Sequence, residues 1–272
     1  MSKARKGIEV LRASWTVMRE RRELMWLALA GSVAFVAVTA GVMLLEITTI
    51  GFNGLAGRFG FIIAIQIGAI PMTFTNFAVS AIADKHLRGE RMEIGEAFAF
   101  TAKHSGQILK WSMLSAAVGL LLQAILERFK LGGWIASRLL GLAWALGTTF
   151  VIPVLVIEDV DVLEAVSRSA KTFKQQWGPS VTADAGIGVL MLFALIPIAI
   201  VCGLVAAMNL VAGVIVGAVA FFGLIAFFGV FGSIKNVALY RFAAEGVVVG
   251  NFTVDQMNSA FKPKAKKRFG LF

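Results

Sequence analysis

The stretch VIPVLVIEDVDVLEAVSRSAKTFKQQWG, residues 151–178, changes character halfway along its length. It opens with seven apolar residues, passes four acids (Glu158, Asp159, Asp161 and Glu164), and continues with basic and apolar side chains at helical spacing. Two interpretations are open. The acids could hold a divalent cation, since carboxylate oxygens are ligands that Mg²⁺ and Ca²⁺ prefer. Alternatively, the stretch is a corner between a membrane-spanning helix and a helix lying on the membrane surface.

The spacing favours the corner. Asp161-Val-Leu-Glu164 has the form of a capping box, which marks a helix start. No second acidic cluster is visible to complete a coordination sphere, so we predict no metal site. Past the cap, an apolar stripe ending at Phe173 and Trp177 alternates with basic residues, which is typical of a helix in the membrane interface. We expect six residues to contact lipid: Trp15, Arg168, Lys171, Phe173, Lys174 and Trp177.

The composition indicates a membrane protein. Hydrophobic residues make up 58% of the chain and charged residues 15%, against roughly half and a quarter in soluble domains. Six apolar runs have about the 20 residues that a membrane-spanning helix needs. We predict an all-α, polytopic bundle forming one integral domain, with an arm (1–23), a bundle (24–245) and a basic tail (246–272). The predicted spans are 24–45, 59–83, 109–126, 134–157, 181–206 and 210–231.

The charge distribution predicts an orientation. Of the 26 Lys and Arg residues, 22 fall on the side of the two termini and four on the other side. This bias predicts a multi-pass protein of the cytoplasmic membrane with both termini in the cytoplasm. Because the basic residues flank apolar runs and form no groove on a soluble fold, we exclude nucleic acid as a partner. Anionic membrane lipids are the expected partners, and a protein partner or a second copy of the chain is left open.

Three segments repeat a pattern. They begin at Ile8 (IEVLRASW), Gly95 (GEAFAFTAKHSG) and Leu163 (LEAVSRSAKTF). Each has a Glu, a small apolar residue after it and a hydroxyl five positions on, at Ser14, Thr101 and Ser169. Each segment also precedes a pair of predicted spans. We therefore predict a threefold repeat of an amphipathic helix followed by a transmembrane hairpin.

The sequence contains no known catalytic or metal-binding motif. His86 and His104 belong to no zinc signature, and Cys202, the only cysteine, excludes an internal disulfide. We predict no catalytic residue, no metal and no cofactor. Prolines in spans two, four and five predict kinks that would suit a midplane cavity. The residues that could line such a cavity or a transport path are Gln66, Pro71, Asn76, Gln123, Pro153, Asp184 and Asn236.

Two stretches carry a resemblance to a known family. Residues 151–178 join a Pro-bearing span to an EA…RS…F…WG helix, and residues 236–261 read NVALYRFAAEGVVVGNFTVDQMNSAF. The chain resembles a widespread family of uncharacterised prokaryotic six-span membrane proteins, similar in outline to the membrane domain attached to some glycerophosphodiester phosphodiesterases. It departs from that family at Phe242, where a second Tyr is usual. The resemblance implies a fold and a membrane location and assigns no catalytic residue.

Two functions remain as hypotheses. The first is a non-enzymatic protein that organises the membrane or partner proteins through its surface helices. The alternative is a carrier for a lipid-like or small amphiphilic solute, which the prolines and the few polar residues within spans favour.

Overall fold

The computed structural model describes residues 3–49, 51, 54–128, 130–177, 184–250, 252–254 and 257. Over these residues the chain is helical and contains no strand, which confirms the predicted all-α bundle. The helices are α1 (Lys3–Glu20), α2 (Glu23–Thr49), α3 (Gly54–Leu87), α4 (Ile94–Lys103), α5 (Ser105–Arg128), α6 (Lys130–Gly147), α7 (Val151–Glu158), α8 (Val162–Trp177), α9 (Asp184–Met208) and α10 (Leu210–Glu245).

Five helical segments in the described part of the chain are long and apolar enough to cross a membrane, namely Glu23–Thr49, Gly60–Leu87, Ser105–Ile125, Ser137–Glu158 and Val216–Glu245. A shorter apolar stretch, Ala194–Met208, lies within α9. The protein is therefore a multi-pass membrane protein. Two helices are longer than a membrane crossing requires. α3 has 34 residues and α10 has 36, or about 50 Å each, which exceeds a hydrocarbon core of roughly 30 Å.

Three successive units make up the bundle, as the repeated sequence pattern predicts. A short helix (α1, α4 or α8) begins each unit, and the long helices α2–α3, α5–α6–α7 and α9–α10 follow. The short helices pack in a cyclic order. α4 packs on α3, α8 packs on α7, and α1 packs on α10. Each short helix thus covers the last helix of the preceding unit, and the first one closes the ring.

The core lies at one end of this ring. We call it the packed end, where α3, α7 and α10 terminate at Leu87, Glu158 and Glu245. The largest fully buried side chains include Phe77 and Ile82 of α3, Leu155 of α7, and Ile234 and Leu239 of α10. The repeated hydroxyls, Ser14, Thr101 and Ser169, are each 0% exposed. Towards the other end, which we call the far end, apolar side chains such as Leu44, Leu121 and Leu204 are more than half exposed, as hydrocarbon solvent allows.

Glycines bring neighbouring helices close within the chain. A Cβ at Gly213 would lie 2.4 Å from the Cα of Ala206, and one at Gly217 would lie 3.5 Å from the Sγ of Cys202. The Gly213–Gly217 pair, spaced as in a G-x-x-x-G motif, is therefore used between α10 and α9 of the same chain.

The prolines of the predicted kinks lie in two kinds of place. Pro71 and Pro197 lie inside helices that continue past them, α3 and α9. The fourth span is instead interrupted: α6 ends at Gly147 and α7 begins at Val151, shortly before Pro153.

Candidate functional site: a clamped break in the fourth span

The break in the fourth span leaves backbone groups that a continuous helix would pair. Inside a membrane an unpaired N–H or C=O group is expensive, so irregular backbone persists only where the protein satisfies it. Pro153 adds to the demand, because it has no N–H to donate to the carbonyl four residues earlier, that of Thr149. Residues 148–150 therefore need hydrogen-bond partners from outside their own helix.

Two side chains from other helices supply these partners. Ser169 of α8 donates its hydroxyl to the Gly147 carbonyl at 2.6 Å and accepts from the Phe150 N–H at 3.0 Å. Asn236 of α10 donates its Nδ2 to the Thr149 carbonyl at 3.3 Å. The Thr148 carbonyl accepts from the Val151 N–H at 3.1 Å. These hydrogen bonds take up the carbonyls of Gly147, Thr148 and Thr149 and the N–H groups of Phe150 and Val151 within the protein.

The other end of α7 is held by the same face of α10. The Tyr240 hydroxyl, one turn beyond Asn236, donates to the Glu158 carboxylate, which also accepts from Arg168 of α8. Helix α7 is only eight residues long, and half of its residues are buried while none is exposed. Hydrogen bonds from α8 and α10 therefore fix α7 at its start and at its end.

The acids of the corner are bound to side chains of other elements. Asp159, a non-glycine residue with a left-handed backbone (φ 49°), accepts from Gln107 Nε2 at 3.1 Å. Asp161 accepts from Lys110 Nζ at 3.0 Å. This bond and one from the Leu163 N–H hold the pKa of Asp161 below its usual value. In the described chain no group of three or more His, Cys, Asp or Glu residues is placed to hold a metal ion.

The predicted capping box forms only in part. Asp161 accepts from the Leu163 N–H at 3.4 Å, but Glu164 turns to Arg168, because a charge-assisted bond is stronger than one to a backbone N–H. Glu158 and Glu164 together raise the pKa of Arg168. In the second unit, Glu96 occupies the position equivalent to Glu164 and does make the capping bond. Its carboxylate accepts from the Glu93 N–H at 3.0 Å.

A buried ion pair joins the first and third units at the packed end. Both carboxylate oxygens of Asp84 accept from the guanidinium group of Arg241, at 2.8 and 2.9 Å. The two residues are 6% and 9% exposed. The sequence reasoning missed this pair and Tyr240. A signal in the sequence could have found them. NFAVSAIADK (residues 76–85) and NVALYRFAAE (residues 236–245) are similar, and Asp84 and Arg241 lie in these two matching segments.

The residues predicted to line a cavity fall into separate places. Asn76 accepts from Ser233, and with Pro153 and Asn236 it lies where α3, α7 and α10 pack. Gln66 faces α5, since a Cβ at Gly119 would lie 2.9 Å from its Nε2. Pro71 and Gln123 are half-buried on α3 and α5. Asp184 begins α9, and its side chain lies outside the described part. The structure thus places two of the seven residues, Pro153 and Asn236, at the clamped break, and Asn76 against α10.

The residues predicted to contact lipid are divided between surface and core. Trp15 is 48% exposed and lies 6.0 Å, between ring centroids, from Phe227 of α10. Lys171 and Lys174 are exposed, and Arg168 is exposed but paired with Glu158 and Glu164. The apolar face of α8 packs against the protein's own core, with Phe173 half-buried. The side chain of Trp177 lies outside the described part.

Comparisons with known proteins identify a family without a known activity. Residues 53–250 match the model of a family described as "Family of unknown function (DUF6159)". No curated protein matches the chain, and no solved structure matches it. The resemblance to an uncharacterised family is thereby supported, whereas no link to glycerophosphodiester phosphodiesterases is shown. The match covers most of the chain, from the start of α3 to the end of α10, so the protein belongs to the DUF6159 family of unknown function.

Proposed function

We propose that this is a non-enzymatic membrane protein that gathers anionic lipids around its packed end, at the cytoplasmic face. The observation that carries the proposal is a set of exposed basic side chains on all three units. They form no ion pair with an acid in the described part of the chain. These residues are Arg12, Arg19, Arg22, Arg91, Lys103, Lys171 and Lys174.

The acids at the packed end are largely occupied by internal partners. Asp84 is bound by Arg241, Asp161 by Lys110, and Glu164 by Arg168. The unpaired basic residues therefore determine the outward charge of this end. A basic surface next to a bilayer attracts anionic headgroups by roughly 1 kcal/mol per residue, and Trp15 adds an amphipathic ring suited to the interface.

The clamped break supports a rigid organiser over a protein that moves a solute. In transporters, the unwound backbone of a broken helix is free to bind substrate or ions. Here the carbonyls of Gly147 and Thr149 and the N–H of Phe150 are already taken by Ser169 and Asn236. The break thus serves packing, and it fixes α7 within the ring.

Lipid analysis of the purified protein tests the proposal. The protein is extracted from membranes of mixed phosphatidylglycerol and phosphatidylethanolamine, and bound lipids are counted by native mass spectrometry. The test variant replaces Arg12, Arg19, Lys171 and Lys174 with Gln. The matched control replaces the four far-side bases, Arg58, Arg128, Lys130 and Arg138. We expect the preference for phosphatidylglycerol over phosphatidylethanolamine to fall at least about tenfold in the first variant. The control variant should keep the wild-type preference. Equal losses in both variants, or none in either, would contradict the proposal.

A carrier for an amphiphilic solute is the second candidate. The observation that favours it is the set of polar side chains within the bundle, among them Gln66 facing α5 and Asn76 paired with Ser233. In proteoliposomes containing NBD-labelled phosphatidylglycerol, a carrier exposes the inner-leaflet label to dithionite at a rate that depends on the protein. Transport that is lost in Asp184→Asn and in a variant with Asn236 replaced by Ala would favour the carrier. No protein-dependent movement would favour the organiser.

A further inference from the structure

One of the three repeated hydroxyls is buried without a hydrogen-bond partner. Thr101 donates to the Ala97 carbonyl at 2.7 Å, and Ser169 bonds to the backbone at the break in the fourth span. Ser14 of α1 occupies the same position in the repeat and is 0% exposed, but its Oγ has no partner in the described part of the chain. A buried hydroxyl that forms no bond is unfavourable, so the packing of α1 alone gives no reason for a hydroxyl at this position.

The helix that α1 covers has a weak segment close to Ser14. Helix α1 packs on α10, and the ring of Trp15, next to Ser14 in the chain, lies 6.0 Å from that of Phe227 between centroids. Two residues further along, α10 reads Gly-Val-Phe-Gly-Ser over residues 229–233. Glycine is the poorest helix former after proline, and sharp helix bends occur at Gly/Ser pairs.

The two glycines of this segment are not used for close packing. A Cβ at Gly229 or at Gly232 would meet no atom of another described element within 4 Å. Gly213 of the same helix, by contrast, lets α9 approach closely. The Ser233 hydroxyl lies 3.0 Å from the carbonyl oxygen of Gly229, four residues earlier, and a bond of this kind often bends a helix. Residues 229–233 therefore combine several features of a helix that can open.

The part of α10 that follows this segment is fixed to the packed end. Tyr240 donates to Glu158 of α7, and Arg241 is bonded to both carboxylate oxygens of Asp84 of α3. The part that precedes the segment continues to the far end, and α9 packs on α10. A bend at residues 229–233 therefore moves the far half of α10, together with α9, against a fixed packed end.

We propose that α10 is hinged at residues 229–233 and that Ser14 stabilises its open form. When the segment opens, backbone groups lose their partners within the helix, and the Ser14 hydroxyl binds to them. Ser169 has this arrangement already, since its single hydroxyl donates to one carbonyl and accepts from one N–H at the break that it covers. Helix α10 thus exchanges between a continuous and an interrupted form, whereas the fourth span keeps the interrupted one. The proposal is independent of the proposed lipid binding.

Hydrogen exchange of the full chain in detergent micelles tests the hinge. The amides of residues 230–237 exchange when the segment opens, so their rate reports the population of the open form. In Ser14→Ala the open form loses a hydrogen-bond partner, whereas the closed form loses only an unbonded hydroxyl. We therefore expect these amides to exchange at least about fivefold more slowly than in the wild type. Thr16→Ala is the control, because the Thr16 hydroxyl is bonded within α1, and it should leave the rates unchanged.

Gly232→Ala tests the same hinge from α10. Alanine favours the continuous helix, and the open space around Gly232 accepts its methyl group, so the same amides should again exchange about fivefold more slowly. Gly223→Ala is the matched control, since Gly223 lies in the same helix with similar open space. Unchanged or faster exchange in Ser14→Ala would overturn the proposal, because a hydroxyl that serves only the closed packing gives those results. Exchange that slows equally in Gly232→Ala and Gly223→Ala, or in neither, would also overturn it.

Discussion

Single side chains decide whether the interrupted span is tolerated in a membrane. Ser169 performs two tasks with one hydroxyl, since it donates to Gly147 and accepts from Phe150. Its equivalents in the other units, Ser14 and Thr101, are also fully buried but lie against α10 and α3, whose helices continue without a break. The sequence repeat predicts the position of Ser169. Its two hydrogen bonds to the backbone arise because Ser169 lies against the interrupted fourth span.

Ser169→Ala should destabilise the protein. The substitution leaves the Gly147 carbonyl and the Phe150 N–H without partners in a buried place, which costs about 1–3 kcal/mol. Chemical unfolding in micelles measures the change in free energy, and Ser167→Ala serves as the control, because Ser167 is exposed on the same helix. Equal stability of the two variants would show that the break does not depend on this hydroxyl.

Acid should weaken the corner through Asp161. The bond from Lys110, followed by the bond from the Leu163 N–H, lowers the pKa of this carboxyl in the folded protein. A lowered pKa contributes stability that is present above the usual Asp value and is lost as the pH falls through the folded value. The midpoint of thermal unfolding, followed from about pH 5 to about pH 2, should therefore fall less steeply in Asp161→Asn than in the wild type. Parallel curves would contradict this assignment.

At the scale of elements, α7 is a short buried helix whose two ends are fixed by neighbours. Pro153 removes the bond to the Thr149 carbonyl, and Asn236 replaces it from α10. The proline was visible in the sequence, and so was Asn236 as a polar residue in an apolar helix. Their partnership was not, because 83 positions separate the two residues and only the packing of α10 on α7 brings them together.

A double-mutant cycle tests this partnership. In the wild-type background, replacing Asn236 with Ala leaves the Thr149 carbonyl unpaired and should cost about 1–3 kcal/mol. With Pro153→Ala, residue 153 regains an N–H that can bond to Thr149, so the same replacement should cost much less. The coupling free energy measures the difference. An identical cost in both backgrounds would show that Asn236 does not replace the hydrogen bond that Pro153 cannot donate.

For the whole molecule, the sequence predicted the helical bundle, the positions of the apolar segments and the three-unit repeat, because hydrophobic runs and spacing report these directly. It did not predict the cyclic packing, in which α1 covers α10. It also assigned the apolar stripe of α8 to lipid, whereas Val162 is buried in the core and Val166 and Phe173 pack partly buried against it. An apolar stripe shows that one face of a helix is covered. Only the folded structure shows whether lipid or protein covers that face.

The ring has two different ends. The packed end contains the buried core, the Asp84–Arg241 pair and the unpaired basic residues, while the far end exposes apolar side chains. We therefore predict one orientation in the membrane, with the packed end in the cytoplasm, where anionic lipids attract basic residues. The proposed lipid binding at that end depends on this orientation.

The labelling of single cysteines measures this orientation. In a Cys202→Ser background, Ser167→Cys labels the packed end, and Met208→Cys, at a position 90% exposed, labels the far end. Membranes are prepared as right-side-out and as inside-out vesicles and treated with a membrane-impermeant maleimide. We expect residue 167 to react in inside-out vesicles and residue 208 in right-side-out ones. The reverse pattern would contradict this orientation.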